Sequence, residues 1–427
     1  MTATDRLVDF AAADHRLPAA ARAAALRLLA DTLAVGGAGA WQSHQLGLDA
    51  TVAAWGQGEE ARLLGAGPRL PAPSAAFLNG FRIHCLEWDA VHEGAVVHAL
   101  SVVTAALGAV IDRRGGCDPD AALAALAVGV DIASGLGLAA TGAMRFFRPA
   151  TAGAIGAACA CARVSGAPMR DTIGLAYSQA AGTMQAHVEG SIALPLQIAH
   201  AARAAVTAAD LATAGLTAPQ EALEGPFGYF RLFEEGDLGR YTDRIGEAWL
   251  IEEVSTKPYP SGRASHGVLA TLADFGEDRE AIEEMVAHLP PLTRRLVDRP
   301  MSPDMSPAYS RLCLPFLAAL MMRDGAIDPR RFTPASFADP ELASLARQVR
   351  VEPDGNEDAN ALAPQRLVVK VGGGHREMLV EHVLGSRAAP LSQEQAEAKR
   401  ALARELAGEL PDPRLFDDPL GYFTDPQ

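Results

Sequence analysis

The chain has 427 residues, of which 49% are hydrophobic and 21% are charged. This composition excludes a disordered chain, and the length is sufficient for two domains. The formal net charge of −15 argues against binding to nucleic acid or to an anionic membrane surface through basic patches. We therefore expect a folded protein with neither of these partners.

The cysteines indicate a reducing compartment. There are five of them, with no CxxC pair and no Cys/His spacing that is typical of zinc ligands. The first residues, MTATDRLVDF, lack the basic segment and apolar run of a secretory signal. We expect a cytoplasmic protein with free thiols.

Up to about residue 245 the hydrophobic pattern is helical almost throughout. Several segments are apolar on nearly every face, which is typical of the central helices of a large bundle. Asp118 followed by Pro119 is a good helix start, and Gly36-Gly37 predicts a helix end. The predicted helices are 22–35, 74–88, 100–113, 118–138, 150–164, 171–186 and 194–214.

The pattern changes near residue 250. Residues 250–256 and 347–351 read as strands, and 366–371 and 376–383 read as a hairpin around three glycines, 372–374. Helices are predicted at 267–275, 312–323 and 392–409. The predicted fold class is therefore mostly α, with a large all-helical domain (1–248) and a smaller α+β domain (249–390).

Nucleotide and metal motifs are missing from the sequence. There is no GxGxxG between a strand and a helix, no Walker loop, no GxSxG and no HExxH. His84 and His92 bracket acidic residues, but they are not spaced as ligands on one helical face. We expect no cofactor and no metal.

Two polar segments could carry chemistry. The first, NGFRIHCLEWDAVHEGAVVHALS, combines three histidines with three carboxylates, and a carboxylate beside an imidazole orients it for proton transfer. The second, STKPYPSGRASH, combines Lys257 and Arg263, which suit a carboxylate ligand. The alternatives are core histidines with helix caps for the first segment, and an interdomain linker for the second.

A third candidate is Arg148, which opens a helix in RFFRPATA. An arginine at a helix start opposes the helix dipole, so its position favours a ligand role over a stabilising one. The aromatic segment GPFGYFRLF reads as packing, because the acidic chain does not suit base stacking.

The order of these segments resembles the MmgE/PrpD family. The matching landmarks are AAFLNGFRIHCLEWD, VVHALSVVTAALG, FFRPATAGAIGAACACARVSG, LEGPFGYF and STKPYPSGRASH. The resemblance implies a helical domain to which the C-terminal segment 391–427 returns, an α+β domain, and a site between them. It also implies a homodimer without cofactor that removes a proton beside a carboxylate, followed by loss of water, loss of CO₂ or reprotonation.

The resemblance assigns roles to individual residues. His98 is the expected general acid or base, Asp89 or Glu87 orients it, and Lys257 holds a carboxylate and stabilises enolate-like charge. The expected substrate-binding positions are Arg148, Arg263, Tyr259, His266, His84, His92, Leu194 and Gln197.

The sequence departs from the family pattern at several of these positions. By this resemblance, the family has aspartate at Ala90, threonine at Val91, lysine at Leu194, histidine at Gln197 and at Arg148, and tyrosine at Phe316. We therefore expect a small organic acid with fewer carboxylates and an apolar portion, because an unpaired carboxylate in a dry pocket is costly.

The leading interpretation is a cofactor-independent lyase of the dehydratase type. The sequence leaves open an epimerase or isomerase, a decarboxylase of the same family, and a non-catalytic relative that only binds a ligand.

Overall fold

The computed structural model describes residues 1–275, 279, 281–358 and 361–426. Its first half is helical and a small sheet lies in its second half, so the predicted fold class is confirmed. The helices of the first half are α1 (Ala3–Ala12), α2 (Ala19–Gln45), α3 (Leu48–Ala53), α4 (Ala72–His84), α5 (Ala99–Arg114), α6 (Pro119–Ala139), α7 (Arg148–Ser165), α8 (Met169–Ser178), α9 (Gln185–Glu189), α10 (Ala193–Thr213), α11 (Tyr229–Leu232) and α12 (Gly239–Thr242).

The centre of the helical part is a close packing of α4, α5, α6, α7 and α10. Small residues make this closeness possible. A Cβ atom on Gly156 of α7 would lie 2.2 Å from the carbonyl oxygen of Gly129 on α6. Alanines fill much of the remaining core, so the backbones of neighbouring helices approach one another closely.

The second half contains a four-stranded sheet in the order β2-β1-β3-β4. Strands β1 and β2 are parallel, and β3 is antiparallel to both β1 and β4. The strands are β1 (Ile282–Leu289), β2 (Val349–Pro353), β3 (Gln365–Val371) and β4 (Gly374–Val380). The predicted hairpin is confirmed, since Gly372 and Gly373 turn with φ of +58° and +75°.

Helices cover this sheet and return the chain to the helical part. They are α13 (His266–Asp274), α14 (Pro291–Val297), α15 (Pro307–Ser310), α16 (Leu314–Asp324), α17 (Pro334–Phe337), α18 (Pro340–Ala346), α19 (Gln393–Ala407), α20 (Arg414–Asp417) and α21 (Pro419–Thr424). The helix α19 begins with a capping box at Ser392 and packs against α2. The domain boundaries at 248 and 390 stay predictions.

Several predicted elements were wrong in their limits. The helix predicted to stop at Gly36-Gly37 continues to Gln45, because these glycines are contact points between helices rather than a stop. The helix predicted at 171–186 is divided into α8 and α9. The strand predicted at 250–256 is a 3-10 helix, Leu250–Glu253. Strand β1 was not predicted at all.

Two helices, Ala19–Gln45 and Pro119–Ala139, are long and apolar enough to cross a membrane. In the apolar 18-residue stretch of each helix, 67% and 89% respectively is buried within the protein, which is typical of core helices.

Candidate active site

The acidic loop, residues 85–98, joins α4 to α5 and carries most of the predicted catalytic groups. Helix α4 ends at His84, and His98 stands immediately before the first residue of α5. Two non-glycine residues in this loop, Glu87 and Val96, have left-handed backbone with φ of +54° and +53°. Such strain occurs where the surrounding structure holds a functional arrangement in place.

The acidic loop is bonded to the second predicted segment. The indole Nε1 of Trp88 donates to the carbonyl of Pro258 at 3.1 Å. Val91 and Ser255 exchange two backbone hydrogen bonds at 2.8 and 3.0 Å. The two segments that the sequence singled out therefore form one structural unit, although about 170 residues separate them.

The His–Asp–His cluster, formed by His84, Asp89 and His98, is the centre of the site. Both Nδ1 atoms lie 2.9 Å from the same carboxylate oxygen, Oδ2 of Asp89. Ser101 also donates a hydrogen bond to that oxygen. The imidazole rings meet edge to face, with centroids 4.8 Å apart. Nδ1 of His84 is hydrogen-bonded to this oxygen and Nδ1 of His98 is in ion-pair contact with it, so the Nε2 atoms of both rings are left available for chemistry.

The surroundings shift the pKa values of the two histidines in opposite directions. Burial alone would lower the pKa of His84, but the Asp89 and Glu87 carboxylates outweigh it and raise that pKa. Burial lowers the pKa of His98, and the ammonium of Lys257 adds to this effect against the attraction of Asp89. Environments that push two pKa values apart in this way separate an acid from a base.

The acidic members of the site stay ionised. Burial would raise the pKa of Asp89, but the two histidines hold it well below its usual range. Likewise Lys257 and His84 overcome burial and lower the pKa of Glu87 to about 2. The Nζ of Lys257 donates to the Glu87 side chain at 3.1 Å and to its carbonyl at 3.0 Å.

A cavity of about 70 Å³ lies beside this cluster. Its polar lining comes from His84, Glu87, His98, His187 and Arg263. The rest of the wall is largely apolar, from Val91, Val96, Met144, Phe147, Met184, Leu194, Leu296, Leu312 and Leu362. Val91 and Leu194, which replace polar residues of the family pattern, therefore both line the cavity.

Lys257 does not line this cavity. It is fully buried behind Glu87, so the carboxylate of Glu87 stands between the ammonium and the cavity. This differs from the expectation that Lys257 itself holds a substrate carboxylate, and the reason is the short contact to Glu87.

The two predicted arginines have acidic partners within the chain. Arg148 is 2% exposed and binds Glu234 through Nε at 2.7 Å and Nη2 at 3.1 Å. Arg263 lines the cavity but binds Glu93 through Nε at 2.8 Å. Their charges are therefore already compensated, although Arg263 still faces the cavity.

Most of the other predicted binding residues stand away from the cavity. His266 is buried and bonds Ser261 at 3.2 Å, and burial holds its pKa well below its usual range. Tyr259 packs edge to face on His266, with centroids 5.4 Å apart. Gln197 donates to a backbone carbonyl at 3.2 Å. His92 lies 3.5 Å from Glu253 and lines a different surface cavity.

Three functional candidates were missed by the sequence reasoning. His187 lines the cavity, Arg299 donates to its carbonyl at 2.8 Å, and Arg311 lies beside His84 and Glu87 in an adjoining lobe. The available signal was an arginine directly before the apolar run LCLPFLAALMM, since such a charge needs a reason to be buried.

The His–Asp–His cluster also offers the donor types of a metal site. One ligand atom from each of its three residues lies within 4.8 Å of the others. The sequence argument against a metal rested on His84 and His92, and it did not anticipate that His98 would join His84. In the present geometry Oδ2 of Asp89 is hydrogen-bonded to His84 and lies 2.9 Å from Nδ1 of His98, which serves an acid–base pair equally well.

A larger cavity, of about 550 Å³, lies elsewhere, between α2 and α19. Lys399 at its base donates to Asp31 at 2.6 Å and to the carbonyl of Trp88 at 3.2 Å. It shares no lining residue with the cavity at His98, so size alone does not identify the catalytic site.

The family models match both halves of the chain. The MmgE/PrpD N-terminal domain matches residues 6–240, and the MmgE/PrpD C-terminal domain matches residues 259–411. The chain belongs to the MmgE/PrpD family. The predicted resemblance is therefore confirmed over nearly the whole chain.

Two curated relatives are similar over most of their length. Cis-aconitate decarboxylase of Homo sapiens is 27% identical over 357 residues, which cover 78% of this chain and 72% of the relative. Cis-aconitate decarboxylase of Mus musculus is 26% identical over 378 residues, which cover 80% and 75%. These relatives and the family support a lyase type of enzyme.

Proposed function

We propose that this protein is a cofactor-independent lyase of the dehydratase type, which acts on a small organic acid with an apolar portion. One observation carries the proposal: a neutral, cavity-lining imidazole, His98, has its Nδ1 2.9 Å from an ionised carboxylate and lies beside a second histidine whose pKa is raised. This pairs a base with an acid in one site.

The proposed reaction begins at His98. Its Nε2 takes the proton from the carbon next to the substrate carboxylate or carbonyl, and Asp89 stabilises the imidazolium that forms. His84, as imidazolium, donates its Nε2 proton to the departing hydroxyl group, which leaves as water. The carbon–hydrogen and carbon–oxygen bonds break, and a carbon–carbon double bond forms.

Glu87 and Lys257 hold this arrangement electrostatically. The Glu87 Oε1 lies 3.6 Å from Nε2 of His84, which keeps the imidazole protonated, and Lys257 compensates the charge of Glu87 from behind. We therefore treat Lys257 as a positioning residue, in place of the direct substrate contact that the sequence suggested.

Decarboxylation is the second candidate. Both curated relatives carry the name cis-aconitate decarboxylase, and the apolar wall of the cavity suits a carboxylate that departs as CO₂. In that reaction His84 would donate a proton to the carbon skeleton as the bond to the carboxyl carbon breaks.

The test is proton exchange in D₂O, followed by NMR. A panel of hydroxy acids and unsaturated acids, including cis-aconitate, is incubated with the wild type, His98→Gln and a matched control, His266→Gln. His266 is a fully buried histidine that does not line the cavity, whereas the side chain of His98 is 13% exposed. We expect loss of exchange in His98→Gln by more than about 100-fold, and near wild-type exchange in the control.

The products distinguish the alternatives. Loss of water identifies the dehydratase, release of CO₂ the decarboxylase, and deuterium incorporation without elimination the epimerase. No exchange with any acid, together with tight binding of one of them, would leave a non-catalytic ligand-binding relative and sink the proposal.

The assembly and location are also proposals. The family resemblance suggests a homodimer, and the cysteine usage suggests the cytoplasm. Light scattering during gel filtration measures the first, and a fluorescent fusion in the native host shows the second.

A further inference from the structure

Two buried arginines of the second half have no acidic partner among the residues that the structure describes. Arg299 and Arg311 are 7% and 2% exposed, and among the described residues no carboxylate lies within 4.0 Å of either guanidinium. The other buried arginines of the site, Arg148 and Arg263, each hold a glutamate. An uncompensated buried charge is costly, so these two positions call for an anion.

Arg311 has donors to spare. Its Nη2 donates to the neutral side chain of Gln42 at 3.0 Å, while its Nε has no hydrogen-bond partner. The guanidinium lines a small lobe of about 10 Å³, which is room for about one water molecule or one carboxylate oxygen.

This lobe adjoins the cavity at His98. The two spaces share His84, Glu87, Leu194 and Leu312 as lining residues. A ligand that reaches from His98 to Arg311 therefore passes the acid–base pair and then Leu194, where the family pattern has a lysine.

The charges of the site favour an anionic ligand. The ammonium of Lys257 compensates Glu87 at 3.1 Å and the imidazolium of His84 compensates Asp89 at 2.9 Å, while His98 is neutral. Positive charge from Arg311 is then left over beside the cavity.

We propose that Arg311 is the carboxylate anchor of the substrate, which places a carboxylate oxygen in the small lobe and an apolar portion against the leucines of the main cavity. This inference rests on the proposed function and names its substrate class: an acid with one or two carboxylates, of which one binds Arg311.

Arg299 is a positioning residue for His187, which lines the main cavity. Its Nη2 donates to the carbonyl of His187 at 2.8 Å and contacts Nδ1 at 3.0 Å. Burial and the Arg299 charge lower the pKa of His187 to about 4, so the cavity-lining imidazole is neutral at pH 7.

The test compares two buried arginines. Arg311→Gln removes a charge without an acidic partner, whereas the control Arg82→Gln removes a charge that binds Asp49 at 2.7 Å. Calorimetric titration with C3–C6 mono- and dicarboxylates and their amides measures affinity, and urea unfolding without ligand measures stability.

We expect Arg311→Gln to weaken carboxylate binding roughly ten- to hundredfold, to leave the amides unchanged, and to be as stable as the wild type or more stable. Arg311→Lys should recover part of the affinity. Arg82→Gln should lose stability and keep its carboxylate affinity.

Unchanged carboxylate affinity in Arg311→Gln overturns the inference. It is also overturned if the variant without ligand is less stable and its affinity falls equally for acids and amides, because that result marks a structural role. His98→Gln separates the two proposals. If it abolishes exchange while Arg311→Gln exchanges with an unchanged KM, the lyase stands and the anchor fails. If Arg311 governs binding but no acid exchanges in the wild type, the anchor stands and the lyase fails.

Discussion

Helices α2 and α4 approach each other so closely near the site that one added methyl group should strongly destabilise the protein. A Cβ on Gly39 of α2 would lie 1.9 Å from the carbonyl oxygen of Arg82 on α4, where at least 3.0 Å is needed. The obstacle is backbone, so no side-chain rotation relieves it, and α2 and α4 must separate by about 1 Å. Gly37 in the same helix meets only the end of the Leu415 side chain, at 2.7 Å.

We therefore expect Gly39→Ala to destabilise the protein by about 3 kcal/mol, at the upper end of overpacking costs, even after the gain of up to about 1 kcal/mol from helix propensity. Gly37→Ala should stay within about 1 kcal/mol of the wild type, because the leucine can move. Both free energies of unfolding come from urea titrations followed by circular dichroism.

The same change should disturb the site, since Arg82 precedes His84 by two residues. Proton exchange by Gly39→Ala should fall at temperatures where the protein is still folded, whereas Gly37→Ala should keep wild-type exchange. If Gly39→Ala is as stable as Gly37→Ala, the close approach of α2 to α4 is not as described and the reasoning is refuted.

Further predictions concern charges, thiols and metals. Burial raises the pKa of Asp131 to about 6 from 3.8, so its protonation favours folding: the wild type should gain about 2 kcal/mol of unfolding free energy relative to Asp131→Asn as the pH falls from 7 to 4, measured by urea unfolding at each pH. Arg148→Gln should cost about 3–5 kcal/mol because it leaves Glu234 buried and unpaired, and adding Glu234→Gln should recover most of that loss. Of the five thiols, Cys117 should react first with a disulfide reagent, since the other four are buried; early labelling of a second thiol contradicts this. Dialysis against EDTA should leave proton exchange unchanged, and a loss restored by one metal would turn the His–Asp–His cluster into a metal centre.

The sequence predicted elements better than it predicted their ends. The hairpin around Gly372 follows from local alternation and turn residues, and the cap at Asp118 follows from local hydrogen bonding. Gly36-Gly37 was misread because a glycine that ends a helix and a glycine that admits a neighbouring helix look the same without the neighbour.

The sequence singled out the residues at the centre of the site but not the arginines near the cavity. His98, Asp89, Glu87 and His84 share one short segment, so composition alone draws attention to them. Arg299 and Arg311 come from another domain, and only the fold shows that they are buried near the cavity without acids. The partners of Arg148 and Arg263 are likewise distant in sequence or unremarkable in type.

The replacements relative to the family pattern therefore act together. Arg148 stands where the family has a histidine, but Glu234 neutralises its charge, so Arg148 is not available to bind an anion. Leu194 removes a second cation and makes the wall between the two lobes apolar. Among the described residues, the uncompensated charge that remains is that of Arg311, beside His84 and Glu87, and that of Arg299, beside His187. A site rebuilt in this way can hold one carboxylate firmly against Arg311, while a third carboxylate would meet leucine and methionine side chains and lose its hydration without a partner.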